Sequence, residues 1–189
     1  MDRVFDNERV WSLSPQHFQR ASDLLVRFIG QQWNVKNVVG IRRGGGPPAH
    51  YLSSRLGVPL TEVTAIRNRN DAIMSEASAD AIVAPLSPSC RFLSVTLIVD
   101  DICGTGETLA AVTASLKQHS PTTMFRTVTL CRNAAASTYP DAWLWTVRDW
   151  VIFPWESVPP GISCEPLPVP TAVSTLGGLG DEKGTMTRG

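Results

Sequence analysis

The chain has 189 residues, with 17 basic and 17 acidic side chains and a formal net charge of zero. That length supports one α/β domain with a sizeable core, and the balanced charge offers neither a nucleic-acid surface nor a polybasic membrane tail. No apolar run approaches a membrane span, the first ten residues lack a hydrophobic signal region, and the four cysteines show no C-x-x-C spacing. Reduced thiols and a cytoplasmic location are the expectation.

In chain order, Ser14 and Pro15 predict a helix start, with Ser as N-cap and Pro in the first turn. Phe18, Ala21, Leu24, Leu25, Phe28 and Ile29 repeat at helical spacing, and Gly30 is read as the stop. Val35 to Ile41 reads as a strand, Ala49 to Leu56 as a helix ended by Gly57, and Val58 to Val63 as a second strand. Residues 67–89 are polar, rich in alanine and broken by proline, without a sustained period. A strand from Val95 to Val99, a helix near Glu107 to Gln118, a strand from Phe125 to Cys131 and short strands at Leu144–Val147 and Trp150–Phe153 complete the pattern. The order β-α-β, loop, β-α-β implies a mainly parallel sheet flanked by helices on both faces. After Glu156 prolines and then glycines dominate, and such a segment buries little, so a mobile tail is expected from about residue 170.

Three segments carry chemistry. In the first, the apolar strand Val95–Val99 runs into Asp100 and Asp101, then the turn Cys103-Gly-Thr-Gly-Glu-Thr108, then a helix. Ligands of open α/β sheets sit beyond the carboxyl ends of strands, and amides of a Gly-rich turn opening a helix favour a phosphate. Carboxylates for hydroxyls beside amides for a phosphate point to a sugar phosphate. In the second, Arg42-Arg-Gly-Gly-Gly46 follows a strand and opens a helix, where a guanidinium fork and backbone amides suit a diphosphate. In the third, Asp149-Trp-Val-Ile-Phe-Pro-Trp-Glu156 offers an aromatic face to a flat ring.

Over residues 14 to 158 these segments resemble the type I phosphoribosyltransferases, which bind 5-phosphoribosyl-1-diphosphate (PRPP), and the third resembles their xanthine–guanine subgroup. The resemblance implies a parallel-sheet domain over residues 1–158, with a flexible lid loop and a small C-terminal base-binding hood, and a Pro/Gly-rich tail over 159–189. It implies that Asp100 and Asp101 hold the ribose hydroxyls, and that Gly104, Thr105, Gly106, Glu107 and Thr108 wrap the 5′-phosphate. Arg43, Gly44 and Gly45 fall to the diphosphate, with a non-proline cis bond at Arg42–Arg43, and Asp100, Asp101 and Arg43 are the catalytic set. Trp150 stacks on the base, Val151 meets its edge through the backbone, and Glu156 belongs to the same segment. Arg67 and Arg69 lie on the lid. Magnesium enters mainly through PRPP, with no protein metal ligand assigned, and relatives are commonly homo-oligomers.

Two positions depart from the 6-oxopurine pattern. Gly104 stands where those enzymes usually carry a further aspartate, and Arg132 stands in the region of a lysine that recognises the 6-oxygen. The expected reaction is therefore transfer of a phosphoribosyl group to a nitrogen of a purine or purine-like base. The alternatives are a PRPP- or nucleotide-sensing regulator and an enzyme for a modified or non-purine heterocycle.

Overall fold

The computed structural model describes residues 6, 8–66, 82–87 and 89–177. The predicted lid residues Arg67 and Arg69 lie outside the described residues.

The strand β1 (Val10–Ser12) leads into the helix α1 (Pro15–Gln32). Ser14 is extended and its hydroxyl accepts the N–H of His17 at 3.1 Å, so the predicted cap is present. Gly30 does not end the helix. Burial of Ala21, Leu25 and Ile29 on one stripe outweighs the ~1 kcal/mol that an internal glycine costs, and the chain turns out only at Trp33, whose N–H donates to the Ile29 carbonyl at 2.8 Å.

The main sheet is built from β2 (Asn37–Arg42), β3 (Leu60–Ile66), β4 (Ile82–Val83), β5 (Val95–Cys103), β6 (Met124–Asn133), β7 (Ala142–Val147) and β10 (Ser174–Thr175). Its spatial order is β10-β7-β6-β5-β2-β3-β4. The five inner strands are parallel, while the edge strands β10 and β4 are antiparallel to their neighbours. Helices α1 and α2 (Gly46–Leu56) cover one face, packing Leu25, Ile29, Ala49 and Leu52 on Val38, Leu97, Val99, Val128 and Leu130. Helix α3 (Glu107–His119) covers the other, packing Leu109, Val112 and Leu116 on Val39, Ile41 and Ile98. No helix among the described residues is long and apolar enough to cross a membrane.

The topology fixes where a ligand can sit. From β2 the chain winds outward to β3, then returns to place β5 on the opposite side of β2 and winds on to β6 and β7. The switch point lies between β2 and β5, and a crevice opens there at the strands' carboxyl ends.

A second, three-stranded sheet stands over that crevice, with β1 between β8 (Trp150–Ile152) and β9 (Glu165–Pro166), all parallel. The hood is therefore not purely C-terminal, because its middle strand comes from residues 10–12. Asp149 holds it, its Oδ1 accepting the N–H groups of Glu8 at 3.0 Å and Arg9 at 3.4 Å. The region after Glu156 is also anchored further along than expected. Leu167 is buried and its N–H donates to the Ser12 carbonyl at 2.9 Å, Pro168 accepts the Trp145 indole N–H at 2.7 Å, and Ser174 and Thr175 pair with Trp143 and Ala142. Packed chain thus extends past residue 170, since an edge strand needs only a partner's free backbone groups and little apolar surface of its own.

Candidate active site

Strand β5 does not stop at Val99 but continues through both aspartates to Cys103, because β6 keeps pairing with it: Asp100 with Thr129, Ile102 with Cys131, Cys103 with Arg132. The two carboxyl groups are thus held on regular backbone. Asp100 Oδ1 accepts the Asp101 N–H at 3.0 Å, and Asp101 Oδ1 accepts the Ile102 N–H at 2.7 Å. Burial pushes the Asp100 carboxyl well above the usual carboxylate range, and the neighbouring Asp101 adds to it. Burial likewise raises Asp101, to about 7, with the charge of Glu156 as the next cause. Raised in this way, Asp101 changes protonation near neutrality, and its ionised form can accept hydrogen bonds from hydroxyls.

The turn 104–106 is shaped from behind. The Thr105 carbonyl accepts the N–H groups of Ser137 and Thr138, each at 3.3 Å, and the Ser137 hydroxyl at 3.1 Å. Gly106 has φ +92°, where a side chain is strained, and a Cβ there would lie 2.7 Å from the Thr138 carbonyl oxygen. Thr105 Oγ1 accepts the Glu107 N–H at 3.3 Å, and Glu107 opens α3 with its carboxylate at the helix's positive end. The first-turn amides and the helix dipole are of the kind that can hold an anion.

Across the crevice the peptide bond Arg42–Arg43 is cis, as the resemblance implied. Gly44 then lies flat against Asp101, whose carboxylate a Cβ would strike, and Gly45 passes between the carbonyls of Ile41 and Val99. The Arg43 carbonyl accepts the Gly46 N–H at 3.1 Å, which turns the segment into α2. The Arg43–Gly45 segment and the acid pair are therefore in direct contact, with no room for a side chain between Gly44 and Asp101.

A cleft of about 280 Å³ joins the acid pair and the glycine turn to the hood, and Arg43, Gly44 and Gly45 do not line it. Asp100, Asp101, Gly104, Thr105, Gly106 and Thr108 form one wall, and Trp150, Val151, Phe153 and Glu156 form the other. Glu156 is fixed by the Phe153 N–H, which donates to its Oε2 at 2.8 Å, yet burial still raises its carboxyl. Trp155 turns away from the cleft side of this turn, stacking on Phe153 and meeting Phe18 of α1 edge-on.

Arg132 is not part of this cleft. It is 4 % exposed, and its guanidinium carbon sits 3.7 Å from the centre of the Tyr139 ring. Sequence reasoning also passed over Ser137 and Thr138, and gave Phe153 and Asp149 no role of their own within the segment 149–156. Only Asp149, a carboxylate at the edge of an apolar run, offered a local signal; the others act through backbone groups or packing that residue type does not announce.

Residues 13–158 match the phosphoribosyl transferase domain family. Among solved structures, a purine phosphoribosyltransferase from Pyrococcus horikoshii shares the fold with a TM-score of 0.65 at 23% identity, over 79% of this chain and 96% of that one. A Helicobacter pylori xanthine-guanine-hypoxanthine phosphoribosyltransferase gives a TM-score of 0.63 at 23% identity, over 78% and 92%. A Neisseria gonorrhoeae hypothetical protein with bound ppGpp gives 0.63 at 17% identity, over 79% and 90%. At these identities the likeness is one of fold, and the assignment rests on the family match across most of the chain. The parallel-sheet crevice with its acid pair and glycine turn accords with that match: the chain belongs to the phosphoribosyl transferase domain family and is a phosphoribosyltransferase.

Proposed function

We propose that the protein transfers the phosphoribosyl group of PRPP to a nitrogen of a purine or purine-like base. The observation that carries this reading is the single cleft in which Asp100, Asp101 and the 104–108 turn face Trp150, Val151 and Glu156. The first set suits a ribose 5-phosphate and the second a flat heteroaromatic ring with N–H groups at its edge.

In this reading Asp100 and Asp101 accept hydrogen bonds from the two ribose hydroxyls, and the amides of residues 104–108 hold the 5′-phosphate. Arg43 and the backbone at Gly44 and Gly45 receive the diphosphate. As the C1–O bond to the diphosphate breaks, positive charge develops at C1 and the ring oxygen, and the nearby acid pair favours it electrostatically. Trp150 holds the base in plane so that its nitrogen meets C1 in line. Gly104 supplies no carboxylate for the proton on the attacking base, so Glu156, on the hood side of the cleft and raised by burial, takes that N–H in this assignment.

Magnesium fits as an ion delivered with PRPP. Asp100 and Asp101 are the carboxylates at hand, and diphosphate, ribose and water oxygens would complete the shell of such a cation. Bound there, magnesium would neutralise part of the leaving diphosphate's charge.

The test is pyrophosphate release from PRPP with magnesium across guanine, xanthine, hypoxanthine, adenine, orotate, uracil and 7-deazapurines. Release with one purine-type base, and its nucleoside monophosphate detected by mass, supports the reading and names the acceptor. Tight PRPP binding with no release from any base would replace it with a sensing role.

A further inference from the structure

Arg132 lies away from the base side of the cleft yet next to the phosphate turn. It is the register partner of Cys103, the residue immediately before that turn. Its guanidinium is buried over Tyr139 at 3.7 Å and near Trp143 at 5.4 Å. One Nη donates to the Ala134 carbonyl at 3.4 Å, and the buried Nε meets no acceptor. No carboxylate pairs with Arg132 among the described residues. A buried guanidinium without a counter-charge is unfavourable, and stacking on aromatic rings recovers only part of the loss. Such a charge persists where something else makes use of it.

Two links lead from Arg132 to the turn. The first is electrostatic: the Cys103 thiol, driven up to about 12 by burial and by Asp100, is pulled the other way by Arg132. The charge is therefore felt where the turn begins. The second is mechanical. Tyr139, the ring beneath the guanidinium, follows Thr138, whose carbonyl accepts the Cys103 thiol at 3.2 Å and whose N–H donates to Thr105. Gly106 packs against the same Thr138.

We propose that Arg132 is a positioning residue for the 5′-phosphate: its uncompensated charge helps draw the phosphate to the 104–106 turn, and its seat on Tyr139 fixes the Thr138 brace that shapes the turn. The base-edge role anticipated for Arg132 is replaced by this one. The inference rests on the reading of 104–108 as a phosphate site, and the experiment separates the two.

Ribose 5-phosphate binding by calorimetry, and KM for PRPP and for the base, are measured on wild type, Arg132→Met, Arg132→Lys and Tyr139→Leu. Arg132→Met is expected to weaken ribose 5-phosphate about tenfold, the effect of one charge lost at a partly screened distance. KM for PRPP rises in step, while KM for the base and the guanine-over-adenine ratio of kcat/KM stay within about twofold. Arg132→Lys keeps the charge and recovers part of the loss, and Tyr139→Leu reproduces the selective loss through the brace, which serves should Arg132→Met fail to fold. Unchanged ribose 5-phosphate affinity in Arg132→Met or Tyr139→Leu, or a changed base preference with intact phosphate binding, overturns the proposal. A wild type that does not bind ribose 5-phosphate refutes the phosphate-site reading itself.

Discussion

Phe153 and Glu156 close a turn on each other: the Phe153 N–H donates to Glu156 Oε2 at 2.8 Å, and the Glu156 N–H donates back to the Phe153 carbonyl at 3.0 Å. This pair of bonds holds a raised carboxyl on the hood wall, close enough for its charge to bear on Asp101. The hood wall and the acid pair are thus electrostatically coupled.

A pH profile reports that coupling. Asp101 is raised to about 7, so its ionised form, the one that accepts from hydroxyls, gains as pH rises through neutrality. kcat/KM for PRPP is expected to climb with pH and level off above the midpoint. Glu156→Gln removes the nearby negative charge and shifts that midpoint down by roughly one pH unit. An unchanged midpoint would show that burial alone sets Asp101.

The same shift predicts a stability effect. A carboxyl whose native value lies above its ordinary 3.8 binds more protons folded than unfolded in the interval between them, so stability falls as pH rises from about 4 through 7. Asp101→Asn removes this loss. The variant should melt higher than wild type at pH 8, by roughly 3 °C, and close to wild type at pH 4.5. It should also be inactive, since an amide cannot replace the anion beside the ribose. Thermal melts of both proteins without ligand, at the two pH values, decide it.

Gly44→Ala and Gly106→Ala separate two kinds of damage. At Gly44 the new methyl would strike the Asp101 carboxylate, so the acid pair must move, and PRPP binding is expected to be lost with modest change in melting. At Gly106 both φ +92° and Thr138 oppose a side chain, and the cost is on the order of 1–3 kcal/mol of stability along with phosphate affinity. Chemical denaturation together with ribose 5-phosphate binding distinguishes the pair.

Trp150→Ala should raise KM for the base roughly 5- to 160-fold, matching about 1–3 kcal/mol per stacked ring, with KM for PRPP little changed. Trp150→Phe, which keeps an aromatic face, should recover most of it. Equal rises in both KM values would mean that Trp150 supports the hood and does not stack.

What the sequence made readable was local. Ser14 and Pro15 marked a helix start, Val95–Val99 marked a central strand, and Asp100, Asp101 and the glycine turn stood together in the chain as they do in the cleft. Contributions that depend on a distant partner were not readable. Val10–Ser12 is too short to show a period, and becomes a strand only because Trp11 pairs with Val151 on one side and Glu165 on the other. Gly30 looked like a stop because the burial of Ile29 is a tertiary fact. Arg132 looked like a base reader because spacing gives position along the chain but not the direction in which a guanidinium is drawn, here toward Tyr139 and Trp143. Pairing, burial and stacking each override what a residue type suggests alone.

The hood's middle strand has a consequence for how the molecule comes into being. Residues 10–12 leave the ribosome early, but their partners at 150–152 and 165–166 follow some 140–155 positions later. The ribose and phosphate half closes through nearer pairings, whereas the hood must join distant pieces of chain, which costs more loop entropy and forms late. A nascent chain ending near Val147 would therefore already hold the acid pair and the 104–106 turn, yet lack Trp150 and Glu156. On the proposed function, the residues that would hold the sugar are assembled before those that would meet the base.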